Sequence, residues 1–153
     1  MDRGKTCPKH RRKEEAPLVI IVDANILVST VAGKHIRRVV RDAVTRGIVF
    51  AAPIAQAEEA AHVLEAKIGF QTDDARRLLS EVLHAIQPLE AAAYGHLEDA
   101  ARARLHVRAQ SDWPVVAAAL ALDAAIWSND RDFFGVGIAV WSTKNMALAE
   151  PVG

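Results

Sequence analysis

Leu18-Val19-Ile20-Ile21-Val22-Asp23-Ala24-Asn25 and Ala125-Ile126-Trp127-Ser128-Asn129-Asp130-Arg131-Asp132-Phe133 decide the reading of this chain. Each is an apolar run too uniform for a strand with one wet face, so each predicts a buried strand of a parallel sheet. Each also stops abruptly at carboxylates. In open α/β sheets ligands gather at the C-terminal ends of the strands. An unpaired carboxylate in such a place is costly to bury. Divalent cations held by those groups would remove the cost and supply chemistry.

Outward from these strands, apolar spacing at Ile36, Val39, Val40, Ala43 and Val44 predicts a helix over Lys34–Arg46, ended by Gly47. Ile48–Ala51 reads as a second strand and Ile54–Lys67 as a helix. Thr72 opens a further helix to about Ile86, broken by Pro88. Ala91–Gln110 reads as one long helix, and Asp112 begins another with Pro114 in its first turn. Phe133-Phe134 is expected to form a packed turn, and Ile138–Trp141 the last strand. Strands alternating with helices define a three-layer, doubly wound α/β fold around a central parallel sheet. The stretch from Ile54 to Gln110 offers no obvious strand and predicts an all-helical subdomain.

The 153 residues suit one domain, read as 17–150, preceded by a basic arm at 1–16 that carries Arg3, Lys5, Lys9, Arg11, Arg12 and Lys13. Nineteen basic and nineteen acidic residues cancel, which removes support for a generic nucleic-acid binder held by a positive field. With the arm set aside, the domain is mildly acidic. A single cysteine, Cys7, excludes a disulfide framework and a cysteine metal cluster. The apolar stretch Ala16–Val22 is too short for a leader and runs straight into Asp23, and no segment has membrane-spanning length. A cytoplasmic protein is expected.

The candidate chemistry lies in Asp23, Glu58 or Glu59, Asp112, Asp130 and Asp132. Asp23 and Asp130 follow strands directly, and helices of this architecture begin on the rim where strands finish, so all can converge. Singly, Asp112 reads as a helix cap, Asp23 as a turn residue and Asp130-Arg131-Asp132 as an Asx-turn. The repetition of a buried strand ending in Asp favours a shared site. Clustered carboxylates repel and raise one another's pKa values. Mg²⁺ or Mn²⁺, which prefer oxygen ligands, would relieve that repulsion and activate water beside a phosphodiester. His62, His84, His96 and His106 show no ligand pairing, and Gly135-Val136-Gly137 reads as a turn. Trp113, Trp127 and Trp141 read as core.

Taken in order, Val22-Asp23-Ala24-Asn25, a glutamate after the second strand, Asp112-Trp113-Pro114-Val115-Val116-Ala117-Ala118-Ala119-Leu120 and Ser128-Asn129-Asp130-Arg131-Asp132-Phe133 resemble the PIN domain family. The resemblance runs from about Leu18 to Trp141 and points to the VapC-like toxins of toxin–antitoxin pairs. It implies a metal-dependent endoribonuclease with Asp23, Glu59, Asp112 and Asp130 as catalytic residues. Asp23, Asp112, Asp130 and the auxiliary Asp132 would bind Mg²⁺ or Mn²⁺. Glu59 fits better than Glu58, from its spacing after Pro53 and the Ala60-Ala61-His62-Val63-Leu64 that follows. Asn25 and Ser128 would orient the carboxylates. Arg131, Lys34, Arg37 and Arg38 would meet RNA phosphates, with Arg41 and the arm as further candidates. The resemblance further implies a small antitoxin partner and a homodimer, for which the Ala91–Gln110 helix is a candidate face. One departure stands out: Arg108 is followed by Ala109 where many relatives carry an aspartate. Two other readings compete. A haloacid-dehalogenase-like phosphatase needs Asp-x-Asp where this chain has Asp23-Ala24-Asn25, and a non-catalytic PIN-like module would bind RNA or protein without cutting.

Overall fold

A computed structural model describes residues 18–150; the basic arm therefore lies outside the described residues. Five parallel strands, β1 (Val19–Val22), β2 (Val49–Pro53), β3 (Ile86–Leu89), β4 (Ala125–Trp127) and β5 (Val140–Trp141), form one sheet in the order β3-β2-β1-β4-β5. β1 is central, flanked by β2 and β4, and this explains its apolar residues on both faces. Ile20 and Val22 enter one core with Phe50, Ile86 and Trp127, whereas Ile21 enters the other with Ala51 and Ile126.

The first core is closed by α1 (Ala24–Ala32), α2 (Lys34–Thr45), α3 (Ile54–Val63) and α4 (Thr72–Val82). The second is closed by α5 (Glu98–Arg104) and α6 (Trp113–Leu122), whose Val115–Ala119 are buried throughout. Small alanines along α6 let the helix lie close to the sheet. The parallel doubly wound reading of the sequence is thus what the chain adopts.

Several local expectations give way. Residues 54–110 are not all helical, because Ile86–Leu89 pairs with β2 as an edge strand. Pro88 is compatible with that position, since an edge strand has one side on which a missing N–H costs no ladder bond. α4 stops at Val82, short of Ile86. The predicted helix over Ala91–Gln110 resolves into single 3₁₀ turns at Ala91–Ala93 and Gly95–Leu97, the short α5, and a 3₁₀ turn over Val107–Asp112. Its alanine content suggests length, but Tyr94 and Leu97 already leave helical geometry, and past α5 the Gln110 Nε2 donates to the carbonyls of Arg102, Leu105 and His106, 2.9–3.3 Å away. Those acceptors sit where the helix unwinds. Helix α1, which no sequence signal beyond Asp23 announces, follows β1 with that single residue between them. α3 widens at its end into a π-helical turn, Leu64–Ile68, closed by Gly69 in the left-handed region. Phe133 is buried as expected of a packed turn, but Phe134 is exposed. β5 is confined to Val140–Trp141.

Candidate metal centre

Helix α1 begins where β1 ends, so Asp23 serves both elements. Its Oδ1 accepts the Ile26 N–H at 2.9 Å, capping α1. Its Oδ2 accepts the hydroxyl of Ser128, the first residue beyond β4. β1 and β4 are neighbours with Val22 opposite Trp127, so the parallel register itself brings Asp23 and Ser128 side by side. Both residues are buried, Ser128 completely. The Asp130 N–H then donates to Ser128 Oγ at 3.0 Å, and the Asp132 N–H donates to Asp130 Oδ1 at 2.9 Å. One hydroxyl therefore joins the ends of two strands.

Glu59 and Asp112 complete the group through their charge. Burial pushes the Asp112 carboxyl up to about 6, assisted by the negative charges of Glu59, Asp130, Asp23 and Asp132. Asp112 immediately precedes α6, but its side chain accepts no capping bond there. Burial also raises the Asp23 carboxyl; Ser128 and the Ile26 N–H oppose the rise, and Asp130 and Glu59 add to it. Of the doubled glutamates, Glu59 acts on both Asp23 and Asp112. Glu58 instead raises the Tyr94 hydroxyl, whose own burial is the larger cause.

Among the described residues, no three His, Cys, Asp or Glu side chains stand close enough to close on one ion. The donor chemistry nevertheless suits a hard cation. All the groups are carboxylates, burial and neighbouring charge raise Asp112 and Asp23, and the Asp112 side chain is not engaged in capping α6. Asp132 has a fixed cationic partner: Arg108 Nε and Nη2 donate to its Oδ1 at 3.0 and 2.7 Å. That pair joins the 107–112 turn to the 131–133 turn.

The remaining predicted residues are distributed differently. Asn25 is exposed on the first turn of α1. Arg131 is exposed in the turn between Asp130 and Asp132. Arg37 lines a cavity between α2 and α4 together with Arg41, Val82 and Ala85. Ala85 precedes β3, so Arg37 lies toward the opposite end of the sheet from the strand-end carboxylates. Lys34 and Arg38 are exposed on α2. His62, His84, His96 and His106 are all exposed, and Trp127 is fully buried.

Two side chains at this site escaped the sequence reading. Gln56 is buried and its Oε1 accepts the Ala24 N–H at 2.7 Å, fixing α3 to the start of α1. A lone amide three positions before Glu59, among alanines, was the available signal. Arg108 is the other: its pairing with Asp132 links residues 24 apart and leaves no local signal in the sequence.

An open parallel α/β sheet with acidic groups on the carboxyl rim of its central strands defines the class. A PIN domain family model matches residues 21–150, and the chain belongs to that family. Among solved structures the chain is similar in fold to VapBC2 from Rickettsia felis bound to a DNA fragment from their promoter, with TM-score 0.62 and 14% identity, covering 82% of this chain and 98% of that one. It is also similar to PAE2754 from Pyrobaculum aerophilum (TM-score 0.61, 20% identity, 86% and 91% covered). A toxin–antitoxin complex from Klebsiella pneumoniae gives 0.58 and 14%, with 80% and 95% covered. No curated protein matches the chain in sequence. No helix among the described residues is long and apolar enough to cross a membrane.

Proposed function

We propose that the protein is a divalent-metal-dependent endoribonuclease acting as the toxin of a toxin–antitoxin pair. The observation that carries this reading is the meeting of Asp23 and Asp130 on the rim of two neighbouring central strands, joined through Ser128. Asp112 stands within charge reach of both, and burial first and then Glu59 and these charges push it up to about 6. Asp23, Asp112 and Asp130 would hold Mg²⁺ or Mn²⁺, with Asp132 beside them. When bound, the ion supplies the Lewis acidity that makes water nucleophilic near neutral pH and offsets the charge of the scissile phosphate. Ser128 holds the Asp23 carboxylate in place and, through the Asp130 N–H, fixes the turn that carries Asp130. Glu59 orients the attacking water, and in-line displacement leaves a 5′-phosphate and a 3′-hydroxyl.

Membership of the PIN family, together with a neighbour described as a toxin–antitoxin complex, supports a small protein partner for this chain. The cavity between α2 and α4, about 290 Å³, offers it a seat. Val40, Val44 and Val82 supply apolar wall and Arg37 and Arg41 supply cations, which suits a segment with apolar and acidic side chains. We assign 17–150 as the nuclease domain and a homodimer as its assembly.

The test is cleavage of single-stranded RNA with Mn²⁺ or Mg²⁺, comparing the wild type with Asp23→Asn and Asp112→Asn. Metal-dependent cutting that both variants lose supports the assignment. Equal cutting by wild type and variants removes it.

A further inference from the structure

Beside the carboxylates lies a surface that their chemistry does not use. The 131–133 turn presents Asp130 and Asp132 and then ends at Phe134, whose backbone N–H donates to the Arg131 carbonyl at 2.9 Å. Phe134 is 58% exposed although its neighbour Phe133 is only 1% exposed. Phe134 thus offers a solvent-facing aromatic ring two residues beyond a site carboxylate. Across from this turn, the Arg108–Asp132 pair brings up the 107–112 segment, so Arg108 also lies within charge reach of Asp130. The Arg108 side chain is 75% exposed despite the pair, and its neighbour Val107 is 92% exposed. Arg131 projects from the same turn as Phe134 and is exposed as well. Phe134, Val107 and the guanidinium groups of Arg108 and Arg131 are thus the exposed lip of the two turns that carry Asp112, Asp130 and Asp132.

This combination fits one class of ligand. Unpaired bases stack on exposed aromatic rings and their phosphates meet arginine, whereas a duplex keeps its base faces covered. An acidic site repels a polyanion, so a cation and a stacking surface at its margin are what it needs to hold one. We propose that Phe134 stacks an unpaired base of single-stranded RNA next to the phosphate to be cut, while Arg131 and the outer face of Arg108 hold the flanking phosphates. This inference rests on the ribonuclease reading and adds a base-stacking residue to it.

The test uses the full chain and a single-stranded oligoribonucleotide bearing one 2-aminopurine, titrated in Ca²⁺ to report binding and in Mn²⁺ to report cutting. Phe134 is solvent-facing, so its variants retain the fold, which the melting temperature checks. Phe134→Ala is expected to weaken binding and raise KM by roughly five- to hundredfold with kcat little changed, as loss of one stacked base predicts. Phe134→Leu should show the same loss and Phe134→Tyr should restore the wild-type value. Arg131→Gln should lower the slope of log affinity against log salt by about one. Unchanged binding in Phe134→Ala, or full retention in Phe134→Leu, overturns the proposal. So does a change in oligomeric mass without a change in RNA affinity, which would make Phe134 a protein contact. Absence of cutting by the wild type on any RNA would instead count against the ribonuclease reading, and 2-aminopurine stacking is measured independently of it.

Discussion

Replacing Asp112 with asparagine should make the metal-free protein more stable while destroying its proposed activity. The Asp112 carboxyl has an ordinary value of 3.8 and stands at about 6 in the fold, raised first by burial and then by Glu59, Asp130, Asp23 and Asp132. Between those two values the folded chain holds more of a proton than the unfolded chain, so stability falls as pH rises through that window. The penalty is absent below 3.8 and complete above about 6. At about 1.36 kcal/mol per tenfold change, the gap corresponds to about 3 kcal/mol. Asp112 is partly exposed, and solvent screening brings this down to about 1–2 kcal/mol. Asn keeps the shape and removes the charge. In EDTA at pH 7.5, Asp112→Asn should therefore melt roughly 3–8 °C above wild type for a chain of this size. At pH 3.5 the two should coincide. Adding Mn²⁺ should reverse the order, since a ligand at about a hundred times its Kd adds about 2.7 kcal/mol to a protein that binds it. Scanning calorimetry across pH, with and without metal, measures both effects. If Asp112→Asn melts at or below wild type in EDTA at every pH, neither burial nor the neighbouring charges penalise the Asp112 carboxylate and the reasoning fails.

Ser128→Ala should cost about 1–3 kcal/mol in urea titration, because it strips a hydroxyl from a buried carboxylate and an acceptor from the Asp130 N–H. It should also carry the Asp23 carboxyl still higher, which NMR titration of that side chain would show as a later midpoint. Gln56→Leu keeps the volume but leaves the buried Ala24 N–H without its acceptor; a loss of about 1–3 kcal/mol is expected by the same assay. Arg108→Ala, by contrast, removes an ion pair whose arginine is largely in water, and its effect on melting should stay below about 1 kcal/mol. A larger loss would mean that the pair anchors the 107–112 turn.

The sheet was legible because its central strands are buried on both faces, which makes Leu18–Val22 and Ala125–Trp127 continuous apolar runs with no competing helical period. β3 was hidden for the opposite reason. At the edge, Gln87 and Pro88 face solvent, and a proline in four residues outweighs the pattern that remains. The Ala91–Gln110 segment misleads through composition, since alanine favours helix, while Tyr94 and Leu97 leave helical geometry and Gln110 takes up the carbonyls freed past α5. At the site, Asp23 and Asp130 were visible from strand ends alone. The relation between them was not, because it depends on which strands are neighbours.

That relation explains why Ser128 stands where a buried strand would otherwise continue apolar. A carboxylate as enclosed as Asp23 needs donors, and the Ile26 N–H satisfies only one of its oxygens. A donor for the other must come from the adjacent strand, at the level just past Trp127, which the register places opposite Val22. Serine is small enough to be wholly buried there, and its oxygen retains a lone pair for the Asp130 N–H. Valine would leave two polar groups unpaired, and a second carboxylate would add to the repulsion already acting on Asp23. A short hydroxyl at this position therefore satisfies Asp23 without neutralising it, which leaves the negative charge available to a cation.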